Sequence, residues 1–167
     1  MLIVFDLDDT LFHSSAQMRR ETMWEDVKTI TAFPGVHDFL NSFPARKMLL
    51  TWETDKGLQD QKINALGIRP LLDEIFICGS NQEKKQCLES IKQKHPTEDI
   101  YVVGDRIDAE IQFGNELGMK TVRLQHGKYK DMIPQHKIQE AHHTITEFSQ
   151  LLSVLRTSAN VSERVLQ

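Results

Sequence analysis

Long apolar runs are missing from this chain, and with them the simplest reason to place it in a membrane. Its uninterrupted apolar stretches fall far short of the roughly 18 to 20 residues that a spanning helix needs. The opening Leu2 to Phe5 has neither the basic start nor the length of a secretory signal. A basic excess is missing too. Twenty Lys and Arg against 24 Asp and Glu give a formal net charge of −4, whereas a general nucleic-acid binder carries a basic surplus or stripe. Nucleic acid is therefore expected at most as a substrate. Cysteine is scarce: Cys78 and Cys87 have neither metal-site spacing nor the density of a disulfide framework, so each reads as a small apolar filler and the expected location is the cytoplasm. No internal repeat or low-complexity linker interrupts the chain. What is present is an ordinary globular composition, 40% hydrophobic and 26% charged, in 167 residues that suit one domain with a real core.

The most informative stretch is Leu2-Ile3-Val4-Phe5-Asp6-Leu7-Asp8-Asp9-Thr10-Leu11. Four apolar residues rich in β-branched and aromatic side chains read as a short strand buried on both faces. Asp6, Asp8 and Asp9 follow at once. Several carboxylates at the end of a buried strand repel one another and lose hydration, which a bound cation offsets. Hard oxygen ligands without neighbouring Cys or His favour Mg²⁺ over zinc. On an extended segment alternate residues share a side, so Asp6 and Asp8 can face one substrate while Leu7 turns into the core.

Further along, short apolar runs alternate with helical spacing. Strands are expected at Lys47 to Thr51, Glu74 to Cys78, Ile100 to Val103 and Lys120 to Leu124, with a short last one at Thr144-Ile145. Between them, helices are expected from Val36 to Phe43, Lys56 to Leu66, Gln82 to Gln93 and Ala109 to Leu117, and a terminal one ends near Leu155. Residues 12–33 form a polar insert in which Met18, Met23, Trp24, Val27 and Ile30 fit one side of a helix. This order implies an α/β fold, a Rossmann-like parallel sheet of about five strands with helices on both faces and right-handed crossovers. A single domain over residues 1–156 and a frayed tail over 157–167 are expected.

Asp6-Leu7-Asp8-Asp9-Thr10 resembles the DxDxT signature of the haloacid dehalogenase-like superfamily, most of whose members are phosphatases. Three later strand ends carry the residue types that this superfamily places there. The resemblance implies that Asp6 is a nucleophile forming an aspartyl phosphate, and that Asp8 protonates the leaving group and then deprotonates the attacking water. For that division of labour the pKa of Asp8 has to lie above that of Asp6. Asp9 is read as a residue that hydrogen-bonds the turn, and Thr10 as a tie to the backbone beside the nucleophile.

At the end of the second strand the resemblance gives the Thr51 hydroxyl and the Trp52 amide the task of binding the phosphoryl group. A Lys near the start of the helix after the third strand neutralises the phosphoryl oxygens. Lys84 is the choice, because Cys87, Leu88 and Ile91 follow it at i+3, i+4 and i+7, and Lys85 is the reserve. Val102-Val103-Gly104-Asp105-Arg106-Ile107-Asp108-Ala109-Glu110-Ile111 resembles the fourth motif, where Asp105 joins Asp6 and Asp8 in holding Mg²⁺ and either Asp108 or Glu110 completes the set.

Many members of the superfamily select substrate with a cap domain. The insert at Phe12 to Phe33 is too short for one, and Thr51 to Lys84 leaves no room. A capless site is expected to be open, to accept large phosphorylated substrates, and to be shielded by at most one helix or by a second copy of the chain; Arg19, Arg20 and Trp24 are the insert residues placed to touch substrate. The histidines His126, His136, His142 and His143 lack the spacing of a zinc site, and Lys84, Lys85, Lys92 and Lys94, mixed with Glu83 and Glu89, read as a solvated helix face rather than a nucleic-acid patch. The expected function is a Mg²⁺-dependent phosphomonoester phosphatase. A phosphotransferase or mutase using the same residues and a non-catalytic scaffold are the alternatives, with dehalogenation a distant third.

Overall fold

The structure is a computed structural model that describes the backbone of residues 1–164 and side chains through Thr157. Six parallel strands form one sheet: β1 (Leu2–Phe5), β2 (Arg46–Trp52), β3 (Glu74–Cys78), β4 (Ile100–Gly104), β5 (Lys120–Leu124) and β6 (His143–Ile145), in the order β3-β2-β1-β4-β5-β6. The short β6 pairs with β5 and brings the sheet to six strands rather than about five. β1 lies between β2 and β4, with Phe5 opposite Leu49 on one side and Val103 on the other. The strand order reverses at β1, so the crevice where an open α/β sheet binds ligands opens at the carboxyl end of that strand.

Period-two alternation divides the core into two layers. Ile3 and Phe5 face one layer with Phe39 and Leu40 of α3 (Val36–Ser42), Leu58 and Ile63 of α4 (Leu58–Ala65), and Leu151 and Leu155 of α7 (Leu151–Arg164). Leu2 and Val4 face the other, with Leu88 and Ile91 of α5 (Asn81–Lys94) and, at its edge, Phe113 just inside α6 (Gln112–Glu116). Being fully buried on both faces, β1 has no polar side chain until Asp6, whose N–H still bonds the Val103 carbonyl at 2.9 Å. The first carboxylate thus stands where pairing ends.

Residues 12–33 do not run as one helix. They form α1 (Ser14–Gln17), α2 (Met23–Asp26) and a 3₁₀ turn at Val27–Thr29. The break has a local cause: the Asp26 carboxylate accepts from the Arg19 N–H at 2.9 Å, from the Arg19 guanidinium and from the Thr22 hydroxyl, which folds the chain back on itself. Val27 and Ile30 reach the core while Trp24 stays 42% exposed. The helix expected at 109–117 starts earlier, as a π turn over Ile107–Ile111, before α6. At the far end α7 continues to Arg164, so the tail expected from 157 is helical that far, and residues 165–167 lie outside the described residues.

Candidate active site

Four strand ends meet over one cleft of about 240 Å³, lined among others by Asp6, Asp8, Asp9, Thr51, Trp52, Lys84, Asp105 and Glu110. A roomier groove of about 610 Å³ between α3 and α7 is apolar and gathers no such set. In the cleft the carboxylate oxygens of Asp6, Asp105 and Glu110 approach within 4.8 Å of one another, and all three residues are buried. Lys84, 1% exposed, extends from the first turn of α5; its Nζ donates to Asp6 Oδ1 at 2.5 Å and also to Glu110. Ser80 fixes the start of that helix by accepting the Glu83 N–H at 3.2 Å.

Glu110 reaches the group because of the π turn. Its wider winding carries Glu110 back beneath Asp105, where its second oxygen accepts the Arg106 N–H at 3.3 Å. Gly104 is required there, since a Cβ would sit 2.6 Å from Glu110 Cγ. Asp108, the other candidate for the metal set, turns outward and is held by the Arg106 guanidinium through two 3.0 Å bonds. Lys85 likewise leaves the cleft and pairs with Glu116 at 2.8 Å.

Crowded carboxylates leave an electrostatic signature. Burial pushes the Asp6 carboxyl up to about 7, against the pull of Lys84 and with help from the Glu110 charge. Burial together with the charges of Asp6 and Glu110 pushes Asp105 up to about 9. Lys84 is held above the usual lysine range: burial opposes its charge, but Asp6 and Glu110 outweigh burial. One ammonium among three carboxylates leaves an excess of negative charge with oxygen donors, and a hard divalent cation fits that donor set.

Asp8 stands apart from this group. Burial acts to raise its carboxyl, but the Lys62 charge and the bonds from Lys62, Ser14 and Gln59 prevail and hold it below the usual range. Lys62 Nζ donates to Asp8 Oδ1 at 2.7 Å and Gln59 Nε2 to Asp8 Oδ2 at 2.8 Å. The Asp8 carboxylate is engaged by α4 and lies outside the converging three, where Glu110 stands with Asp6 and Asp105. The pKa order required of the acid and the nucleophile is reversed by the protein groups alone, because Asp6 is desolvated beside like charges and Asp8 has its own cation.

Asp9 adopts a left-handed backbone (φ 52°) and ties three segments together. Its Oδ1 accepts from the Ser15 N–H and hydroxyl at 3.0 Å each, and its Oδ2 accepts from the Lys128 N–H at 3.1 Å. Gly127 packs so closely on it that a Cβ would lie 2.2 Å from Asp9 Cγ. Thr10 is fully buried in the turn, where its N–H bonds the Leu7 carbonyl at 3.2 Å. Thr51, 1% exposed, accepts from Gln59 Nε2 at 2.7 Å, and Trp52 borders the cleft. The insert reaches the cleft through Ser14, Ser15 and Met18, whereas Arg20 and Trp24 border a separate surface depression and Arg19 pairs with Asp26.

Lys62 and Gln59 were not anticipated. Both lie on the inward face of α4 beside Leu58 and Ile63, and their spacing in the polar sequence LQDQKINA does not mark them out.

A parallel sheet whose switch point carries a DxD turn, a buried lysine and three converging carboxylates is what the resemblance to haloacid dehalogenase-like hydrolases implies. Comparison with known proteins agrees. A HAD-hydrolase-like family model matches residues 83–151. The chain is 33% identical over 103 residues to a glyceraldehyde 3-phosphate phosphatase of Methanocaldococcus jannaschii, covering 59% of this chain and 44% of that protein. It is 34% identical over 107 residues to the protein of the same name from Methanopyrus kandleri, covering 60% and 46%. The chain therefore spans less than half the length of these relatives. Among solved structures, the HAD-hydrolase YfnB from Bacillus subtilis, described as bound to magnesium, superposes with a TM-score of 0.70 at 14% identity over 92% of this chain and 97% of that one. A 2-haloacid dehalogenase from Pseudomonas syringae gives 0.67 at 13% over 93% and 98%; both show likeness of fold alone. The chain is thus similar to haloacid dehalogenase-like hydrolases in sequence over part of its length and in fold over most of it. No helix among the described residues is long and apolar enough to cross a membrane.

Proposed function

We propose that this chain is a magnesium-dependent phosphatase that hydrolyses a phosphomonoester through an aspartyl phosphate on Asp6. The observation that carries the reading is the meeting of Asp6, Lys84, Asp105 and Glu110 in one buried cluster, with Asp8 and Thr51 on the same cleft. Asp6, Asp105 and Glu110 would hold Mg²⁺. When bound, the ion supplies positive charge beside the phosphoryl oxygens and keeps the nucleophile ionised despite its burial.

The chain's own residues do the rest. Asp6, the residue that follows β1, attacks phosphorus while the Lys84 ammonium neutralises the oxygens that gain charge. Thr51 donates its hydroxyl proton to the phosphoryl group, and the Trp52 amide adds a donor. Asp8, ionised beside Lys62 in the free protein, must take up a proton as the phosphate ester binds; it then gives that proton to the departing oxygen and later takes one from the water that releases phosphate. Both carboxylates border one cleft because Leu7 between them is fully buried and turns the other way.

The relatives named glyceraldehyde 3-phosphate phosphatase make small phosphorylated metabolites the first substrates to try, beside the large ones that a capless site is expected to accept. A panel of triose and sugar phosphates, nucleotides and phosphopeptides, assayed for inorganic phosphate with Mg²⁺ and again with EDTA, tests the reading. Release from a small phosphomonoester that vanishes with EDTA and in Asp6→Asn is expected; transfer only to an added acceptor would favour the phosphotransferase alternative.

A further inference from the structure

We propose that Lys62 and Gln59 are positioning residues for Asp8 and Thr51. They fix the carboxyl group that serves the leaving group and hold in place the hydroxyl that meets the phosphoryl group. This rests on the phosphatase reading above, and deepens it. Neither side chain lines the cleft, so both act through the residues they hold.

The geometry is tight. Lys62 Nζ and Gln59 Nε2 engage different oxygens of Asp8, at 2.7 and 2.8 Å, so the carboxylate cannot rotate about its own axis without losing one of them. Gln59 is 1% exposed and Lys62 6%; the Lys62 ammonium and the Gln59 nitrogen have partners, whereas the Gln59 oxygen is buried without one. The orientation of the Gln59 amide follows from its neighbours. Its nitrogen stands 2.8 Å from the Asp8 carboxylate, 3.0 Å from the Trp52 carbonyl and 2.7 Å from Thr51 Oγ1. The first two can only accept, so a nitrogen must face them. Two N–H protons serve three acceptors, so Thr51 Oγ1 shares them with its neighbours and is held beside the amide.

The platform beneath these contacts is anchored separately. The Glu53 carboxylate accepts the Gly57 N–H at 3.0 Å and the Gln59 N–H at 3.1 Å, which fixes the start of α4. Lys62 passes over the Phe12 ring, 5.9 Å from its centroid, on the way to Asp8. Helix α4 is thereby a bracket between the carboxyl ends of β1 and β2.

A positioned proton donor matters most when the departing oxygen is a poor leaving group. The test is the ratio of kcat/KM for glycerol 3-phosphate to that for 4-nitrophenyl phosphate, which does not depend on how much of a preparation is folded. Compared at each variant's own pH optimum, because loss of the Lys62 charge also raises the Asp8 carboxyl, Lys62→Met is expected to lower kcat/KM about 100-fold for the alkyl ester but less than about 10-fold for the activated aryl ester, within the range of general acid catalysis. Gln59→Leu should shift the ratio the same way and raise KM for both esters, because Thr51 loses that contact. Lys62→Met combined with Asp8→Asn should be no slower than Asp8→Asn alone, since Lys62 acts through Asp8. A wild type that hydrolyses both esters while Lys62→Met leaves the ratio unchanged overturns this inference and spares the proposed function. A wild type that hydrolyses neither ester under Mg²⁺, together with a negative panel, removes both.

Discussion

Asp6 and Asp8 are two residues apart, border one cleft, and sit in opposite electrostatic surroundings. Around Asp6 three buried carboxylates share one lysine, and the excess negative charge raises Asp6 and Asp105. Around Asp8, whose side chain is 34% exposed, one carboxylate has its own ammonium and an amide, and it is held low. The Asp6 side is short of positive charge while the Asp8 side is saturated with donors. Only the first has a use for an added dication, so metal should act on the nucleophile and leave the acid to the protein.

The largest expected effect comes from the crowded side. Asp6→Asn should reduce Mg²⁺-dependent phosphate release by at least about 10³-fold, because no other group replaces a covalent nucleophile. Lys84→Met leaves three buried carboxylates without their cation and should destabilise the fold by about 3–5 kcal/mol in EDTA, as expected for a broken buried pair. Added Mg²⁺ should restore part of that in chemical denaturation, which would place lysine and metal in overlapping electrostatic roles.

A pH series sharpens the contrast. In the unfolded chain Asp6 and Asp105 lose their protons near 3.8, whereas in the folded chain they keep them to about 7 and about 9. Between these limits the folded state binds more protons, so their contribution is fully present below about 3.8 and is lost as pH rises through about 7 and then about 9. In EDTA, thermal stability should therefore decline across this window. Mg²⁺ should stabilise more at pH 8 than at pH 5, and Asp105→Asn should flatten the decline. Asp8 has the opposite sign: its contribution is present above about 3.8 and is lost as acid protonates it. The smallest effects belong to Lys85→Ala and Asp108→Ala, each expected within about twofold of wild-type activity because both are surface pairs outside the cluster. A large loss in either would mean that the cleft extends to α6 or to the outer side of the π turn.

Much of this was legible because the informative residues are local in sequence. Strand ends announce themselves by apolar runs stopping at Asp6, Thr51, Cys78 and Gly104, and period-two alternation fixed which neighbours share a face. The choice between Lys84 and Lys85 also follows from helical register against Cys87, Leu88 and Ile91. Other features depend on contacts that no spacing rule encodes. The sixth strand spans only His143–Ile145 and exists because β5 offers it an edge. Glu110 joins the carboxylates through a π turn, whose extra residue breaks the spacing expected of an ordinary helix. The insert looked helical from its apolar residues, but Asp26 captures Arg19 and Thr22 and interrupts it. Gln59 and Lys62 were hidden for another reason: polar side chains on a helix are usually solvated, and their burial is set by Asp8 some fifty residues earlier.

The central claim is that Asp6 takes the phosphoryl group, and borohydride trapping reads it at the residue itself. Wild-type protein quenched during turnover of its best substrate with Mg²⁺ and treated with sodium borohydride should yield homoserine at position 6 by peptide mass spectrometry, and none with EDTA or without substrate. Turnover that continues with position 6 still aspartate, or with the reduced residue at Asp8 or Asp105 instead, would contradict the account.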